Sequence, residues 1–142
     1  MANILLLNIK TLPSEMNSFS ERIFNINSEE DFNKICMSLF DFQMENNPIY
    51  SAYAKIILKQ KNPNNINEIP FLPIDFFKTD QIICMGKKTE EIFLSSGTTG
   101  NQSKHLISDL EIYKKSFQKS FDQFYGNISE YCILSLLPNY RE

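Results

Sequence analysis

The spacing of apolar positions predicts two helices in the first half of the chain. Ser28 stands directly before three acidic residues, which is typical of a helix N-terminus with a capping side chain. The apolar residues that then follow at helical spacing are Phe32, Ile35, Cys36, Leu39 and Phe40. This helix is predicted to end near residues 46–48, and a second one to begin at Pro48, a favourable first-turn residue. The side chains expected to be buried by the second helix are Ile49, Tyr53, Ile56 and Ile57.

An apolar segment bracketed by prolines follows these helices. Residues 69–78 read IPFLPIDFFK, and Pro70 and Pro73 exclude a helix interior there. The segment is too apolar for a loop in water. We therefore expect it to lie across a core or to line a pocket, with Phe76 and Phe77 as the pocket candidates.

The second half of the chain predicts a sheet and one further helix. Residues 81–85 and 91–95 are expected to form two strands joined by a turn at Gly86, and residues 104–108 to form another. A helix from residue 109 to 125 carries a phenylalanine stripe that is typical of a core face, and Gly126 would end it. The nearly continuous apolar run at residues 131–138 predicts a buried strand of a parallel sheet.

The fold class expected from this order is α/β, with N-terminal helices followed by part of a mixed or parallel sheet. Residues 1–27 have no clear period, and we expect them to form an N-terminal extension to a domain spanning residues 28–142.

Composition excludes several classes of function. The chain has 142 residues, a net charge of −3 and an isoelectric point near 5.2, whereas a nucleic-acid-binding domain is normally basic. One histidine and three widely spaced cysteines do not supply a structural zinc site or a disulfide framework. No apolar run approaches the roughly 20 residues of a membrane span. These features predict a cytoplasmic protein with reduced thiols, and Cys36, Cys84 and Cys132 are expected to be inert core residues.

Two of the four glycines lie in one polar loop that has chemical content. The stretch SSGTTGNQSK at residues 95–104 combines Gly97 and Gly100 with five hydroxyls, four of them within residues 95–100, and a cation. Glycines let backbone amides approach an anion, hydroxyls add neutral donors, and a lysine adds charge, so the loop suits a polyphosphate. Its register differs from the P-loop pattern GxxxxGK[ST]. A hairpin turn made of small residues is the alternative.

The order of residues in this loop resembles the phosphate-binding loop of adenylate-forming enzymes. Together with the apolar segment at residues 69–78, it resembles the acyl-protein synthetase family, the LuxE-type component that activates fatty acids. The chain is also similar, more distantly, to phenylacetate–CoA ligases. The resemblance covers residues 28–142 and implies the N-terminal part of an adenylate-forming, ATP-binding domain. Because the adenine site and the acyl-carrying cysteine of that family lie further along, we expect a truncated chain that is inactive alone.

The resemblance implies a two-step reaction that uses ATP and Mg²⁺. A carboxylic (fatty) acid becomes an acyl-adenylate, and the acyl group then passes to a thiol of an acceptor protein or of CoA. The residues that would cradle the β- and γ-phosphates are Ser95, Ser96, Gly97, Thr98, Thr99 and Gly100. Ser103 would add a hydroxyl, and Lys104 would supply catalytic charge to the leaving pyrophosphate. A non-catalytic binding module stays the alternative, and His105 is a weaker candidate than its neighbours.

Overall fold

The computed structural model describes residues 19–59, 61–96, 102–134 and 136. Within these residues the chain has a mixed α/β composition. Its helices are α1 (Glu29–Asn46), α2 (Pro48–Leu58), the single turn α3 (Phe76–Thr79) and α4 (Leu110–Tyr125). A further helical stretch lies at residues 19–23, and 3-10 turns lie at Ile66–Glu68 and Ile128–Glu130. The strands β1 (Glu91–Leu94) and β2 (Lys104–Ile107) form a small antiparallel sheet.

Two polar side chains set the ends of α1 and α2, as the sequence predicts. The Ser28 hydroxyl accepts a hydrogen bond from the Asp31 amide at 3.1 Å and begins α1. Asn47 lies between the helices, where its own amide donates to the Gln43 carbonyl at 2.9 Å. Its side-chain oxygen accepts from the Tyr50 amide at 3.1 Å, so one residue ends α1 and caps α2.

The core lies where α1 and α2 cross the extended segment after them. Phe40, Tyr50 and Ala54 are buried together, and the partly buried side chains packed on them are Met44, Leu58, Ile69 and Leu72. The Tyr50 hydroxyl donates to the Pro70 carbonyl at 2.9 Å, which fixes the proline segment on the helices. The prediction that residues 69–78 lie across a core is therefore confirmed.

The predicted buried face of α2 is wrong at Ile56 and Ile57, whereas Ile49 and Tyr53 are half-buried. Ile56 is 74% exposed and Ile57 is half exposed, whereas Ala54 is completely buried. Tyr50 and Ala54 are one helical turn apart, and this face allows close approach to α1 because alanine is small. The large isoleucines consequently point away from the core.

The sheet also differs from the prediction. Residues 81–85 form no strand, although Gly86 turns the chain with φ of +72° as expected. β1 pairs instead with β2, with Phe93 opposite His105 and Leu94 opposite Lys104. The Met85 amide donates to the Asn46 carbonyl at 2.8 Å, so this stretch bonds to the end of α1 and not to a neighbouring strand.

The chain divides into two compact units, Met1–Leu110 and Glu111–Glu142. In the second unit the aromatic stripe of α4 is not a core, because none of the helix residues is buried. Phe121 packs against Tyr125 and Tyr131, with ring centroids 5.1 and 5.5 Å apart. The buried strand predicted at residues 131–138 is also wrong for residues 131–134 and 136, which are exposed and form no strand. The physical reason is that no neighbouring strand pairs with them in the described part of the chain.

Candidate functional site

The candidate phosphate loop connects β1 to β2 at the turn end of their hairpin. The Ser95 amide donates to the Ser103 carbonyl at 3.1 Å, and the Ser103 amide donates to the Ser95 hydroxyl at 2.9 Å. These two bonds extend the hairpin by one residue pair beyond Leu94 and Lys104. Two of the predicted site residues are therefore held together at the foot of the loop. Gly97, Thr98, Thr99 and Gly100 lie outside the described residues.

Ser103 connects the loop foot to a histidine and an aromatic ring. Ser103 is only 4% exposed, and its hydroxyl lies 3.1 Å from Nε2 of His105. The imidazole in turn stacks on Phe77 of α3, with centroids 4.8 Å apart and planes inclined by 23°. Alternate strand residues point to the same face, so Ser103 and His105 meet because they are two positions apart. That spacing was the sequence signal that could have raised His105 among the candidates.

Lys104, the predicted cation of the site, lies on a different face of the hairpin from Ser103. Lys104 lies between Ser103 and His105 on β2, so strand alternation directs its side chain to the opposite face of the hairpin. It is exposed and forms no ion pair with a described residue. Ser96 is also exposed. The described part of the loop thus offers water-accessible donors at Ser96 and Lys104 and a buried, already bonded hydroxyl at Ser103.

An apolar cavity of about 610 Å³ lies beside this hairpin in the same unit. Its walls come from α1, the 3-10 turn and the proline segment. The apolar side chains that line it include Phe32, Leu39, Phe40, Phe71, Leu72 and Phe77. The prediction that residues 69–78 line a pocket is confirmed for Phe77, whereas Phe76 packs on Tyr53 with centroids 5.5 Å apart.

Phe77 connects the cavity wall to the loop foot through His105. It lines the cavity and also stacks on His105, whose imidazole is bonded to Ser103. An apolar binding space and a polar loop therefore share one aromatic side chain. This arrangement is suited to a ligand with an apolar part and a polar end.

The three cysteines are free thiols in different environments. Burial raises the pKa of Cys84, and nearby Lys87 lowers it by a smaller amount, so this thiol stays protonated near neutral pH. Cys36 is half-buried and lines the apolar cavity. Cys132 is exposed, so its predicted place in a core strand is wrong.

Across residues 19–59, 61–96, 102–134 and 136, no three His, Cys, Asp or Glu side chains come together as a metal site would need. Within those ranges no helix combines the length and the apolar character that crossing a bilayer would take.

Three comparisons of this chain with known proteins gave the same result. No protein-family model matches it, and neither the search of curated proteins nor the search of solved structures found a match. The candidate site is therefore defined by the residues of this chain alone. They are the hydrogen-bonded pair Ser95 and Ser103, the exposed Lys104, and the cavity whose wall includes Phe77.

Proposed function

We propose that this chain is the N-terminal, ATP-phosphate-binding part of an acyl-protein synthetase. Such an enzyme activates a carboxylic (fatty) acid as an acyl-adenylate and transfers the acyl group to a thiol. The proposal includes the finer fold, part of an adenylate-forming domain. It also includes a cytoplasmic location, since ATP and reduced thiols occur together there.

The observation that carries the proposal is the closure of the loop at its foot. Two hydrogen bonds between Ser95 and Ser103 hold the ends of a segment that contains two glycines and two threonines. A loop with fixed ends loses less conformational entropy when it folds around a ligand. The hydroxyls of Ser96, Thr98 and Thr99 would then donate to phosphate oxygens, and the glycines would let the backbone amides approach.

Lys104 supplies the charge in this scheme. An exposed ammonium with no ion-pair partner among the described residues is available to an anion, and a lysine acts on phosphate as a mobile point charge. Its side chain lies on the opposite face of the hairpin from Ser103, in contact with water. Mg²⁺ would enter with ATP and neutralise phosphate charge, because nucleotide-bound Mg²⁺ takes many of its ligands from phosphates and water.

The first step forms one bond and breaks another. A carboxylate oxygen attacks the α-phosphorus of ATP, and the bond from that phosphorus to the bridging oxygen of the β-phosphate breaks, which releases pyrophosphate. In the second step a thiol sulfur attacks the acyl carbon and AMP leaves. The described residues contribute to the first step only, by stabilising charge that moves onto the leaving pyrophosphate. The acceptor thiol in the proposal belongs to a protein or to CoA.

The test is exchange of labelled pyrophosphate into ATP by the complete enzyme of which this chain is proposed to be the N-terminal part, in the presence and absence of a fatty acid such as dodecanoate. Adenylation is reversible, so the proposal predicts label in ATP only when the acid and Mg²⁺ are both present. Formation of ADP would contradict adenylation: it would identify an ATPase if inorganic phosphate is released, or a kinase if the γ-phosphoryl group is transferred to an acceptor.

A further inference from the structure

We infer that the apolar cavity beside the loop binds the hydrocarbon chain of a monocarboxylic acid, with the chain inserted first and the carboxylate left outside. The inference rests on the proposed function and adds to it the place and direction of the acid. Three observations support it: the lining residues are uncharged, buried polar groups among them are already hydrogen-bonded, and Phe77 connects the cavity to His105 beside the loop.

Among the described residues that line the cavity, none has a charged side chain. Its polar members are neutral, and they come from α1, α2 and the turn before the proline segment: Cys36, Gln43, Asn47, Tyr50 and Asn67. A carboxylate placed inside would lose its hydration without gaining a counter-ion, which strongly disfavours that orientation. An alkyl chain has no such cost and gains from leaving water.

The buried polar groups in the wall are already bonded to each other. The Asn47 side-chain amide donates to the Gln43 side-chain oxygen at 3.0 Å, and the Asn47 oxygen accepts from the Tyr50 amide. The Tyr50 hydroxyl donates to the Pro70 carbonyl. The Asn47 and Tyr50 side chains are therefore already bonded within the protein, and an apolar ligand needs no hydrogen bond from them.

The junction at Phe77 gives the direction. Phe77 lines the cavity and stacks on His105, and the imidazole contacts Ser103 at the loop foot. An acid whose chain fills the cavity would present its carboxylate on this polar side, where the proposed phosphate loop begins. The volume of about 610 Å³ lies within the range of cavities that hold drug-sized ligands, so it exceeds what one small ring needs.

Alkylation of Cys36 tests the inference without any nucleotide. Cys36 lines the cavity, whereas Cys132 is exposed in the other unit and serves as an internal control. The full chain is treated with N-ethylmaleimide, with and without dodecanoate below its micelle-forming concentration, and both peptides are followed by mass spectrometry. We expect dodecanoate to slow alkylation of Cys36 at least fivefold and to leave Cys132 unchanged.

The matched ligand is dodecanedioate, which has the same chain and a second carboxylate. Chain-first insertion would force that carboxylate into the uncharged part of the cavity. The concentration of dodecanedioate needed to protect Cys36 should therefore be at least ten times that of dodecanoate. Equal protection by the two acids would overturn the stated direction, and protection by neither would overturn the site. Calorimetric titration compares the affinities of the same two ligands and does not depend on the reactivity of Cys36.

A pair of surface variants tests the cavity wall. Phe71 lines the cavity and is 82% exposed, so Phe71→Glu should preserve the fold and weaken dodecanoate binding at least tenfold. Ile74→Glu changes an exposed residue that does not line the cavity and should leave binding unchanged. Equal effects of the two variants would contradict the site. Because ATP is absent, failure here leaves phosphate binding by the loop unaffected, and loss of ATP binding alone leaves this result standing.

Discussion

Tyr50 is buried in the core with Phe40 and Ala54. Its hydroxyl is bonded to the Pro70 carbonyl, and burial, with a smaller effect of Tyr53, raises its pKa above the ordinary value of 10.0. A raised folded-state pKa means that the unfolded chain releases the phenolic proton first as pH increases. The stability from this group is therefore complete below pH 10 and is lost as the pH rises through the folded-state value.

Tyr50→Phe should remove both the bond and this alkaline dependence. We expect a loss of about 1 kcal/mol in the free energy of unfolding at pH 8. Urea denaturation at pH 8 and above pH 10 measures it. The gap between the two proteins should narrow at the higher pH, and a gap that widens there would contradict the stated sign.

Lys104 is the residue on which the electrostatics of the loop depend. Lys104→Ala should weaken MgATP binding about tenfold, which is roughly 1.4 kcal/mol, and should change unfolding by less than about 0.5 kcal/mol because the side chain is exposed. Lys88→Ala is the matched control, since Lys88 is also exposed but lies outside the loop. Similar losses in both variants would show general charge attraction and not a specific contact.

At the scale of single elements, Asn47 joins two helices and Ser28 begins only one. Asn47 is buried and makes three hydrogen bonds through its side chain and amide, whereas the Ser28 cap is exposed. We expect Asn47→Ala to cost about 2 kcal/mol of unfolding free energy and Ser28→Ala about 1 kcal/mol. Thermal or urea unfolding followed by circular dichroism measures both, and an equal cost would contradict the double role of Asn47.

The packed face of α2 can be tested with the same substitution at two positions. Ala54 is completely buried against α1, and Ala52 on the same helix is exposed. Ala54→Leu should destabilise the protein by about 1–3 kcal/mol through overpacking, whereas Ala52→Leu should change stability by less than about 0.5 kcal/mol. The reverse order in urea unfolding would restore the face that the isoleucines predicted.

The elements that sequence predicts well are those fixed by local chemistry. The ends of α1 and α2 follow from Ser28, Asn47 and Pro48, which act within one helical turn of themselves. The orientation of α2 was missed because helical spacing permits several apolar faces, and only close contact with α1 selects the one with Ala54. The strand predicted at residues 81–85 is wrong for a related reason, because the local pattern does not say which segment pairs with β1. Its partner is β2, which follows the loop.

At the scale of the whole molecule, the site combines a local part with a part that depends on tertiary structure. The loop is contiguous in sequence, so its glycines, hydroxyls and lysine can be found by reading the chain. The Ser103–His105 contact follows from strand alternation once β2 is known. The cavity could not be predicted in full, because segments from α1 to Ile82 approach one another only after folding.

The most direct test of the central claim, that residues 95–104 bind the phosphates of ATP, is calorimetric titration of MgATP into the chain and into Thr98→Val. This substitution removes one loop hydroxyl with little change in size, and Thr89→Val makes the same change at an exposed position outside the loop. The account predicts saturable MgATP binding that Thr98→Val weakens about tenfold, by roughly 1.4 kcal/mol, and that Thr89→Val leaves unchanged. Equal MgATP affinity in all three proteins, or no binding in any of them, would contradict it.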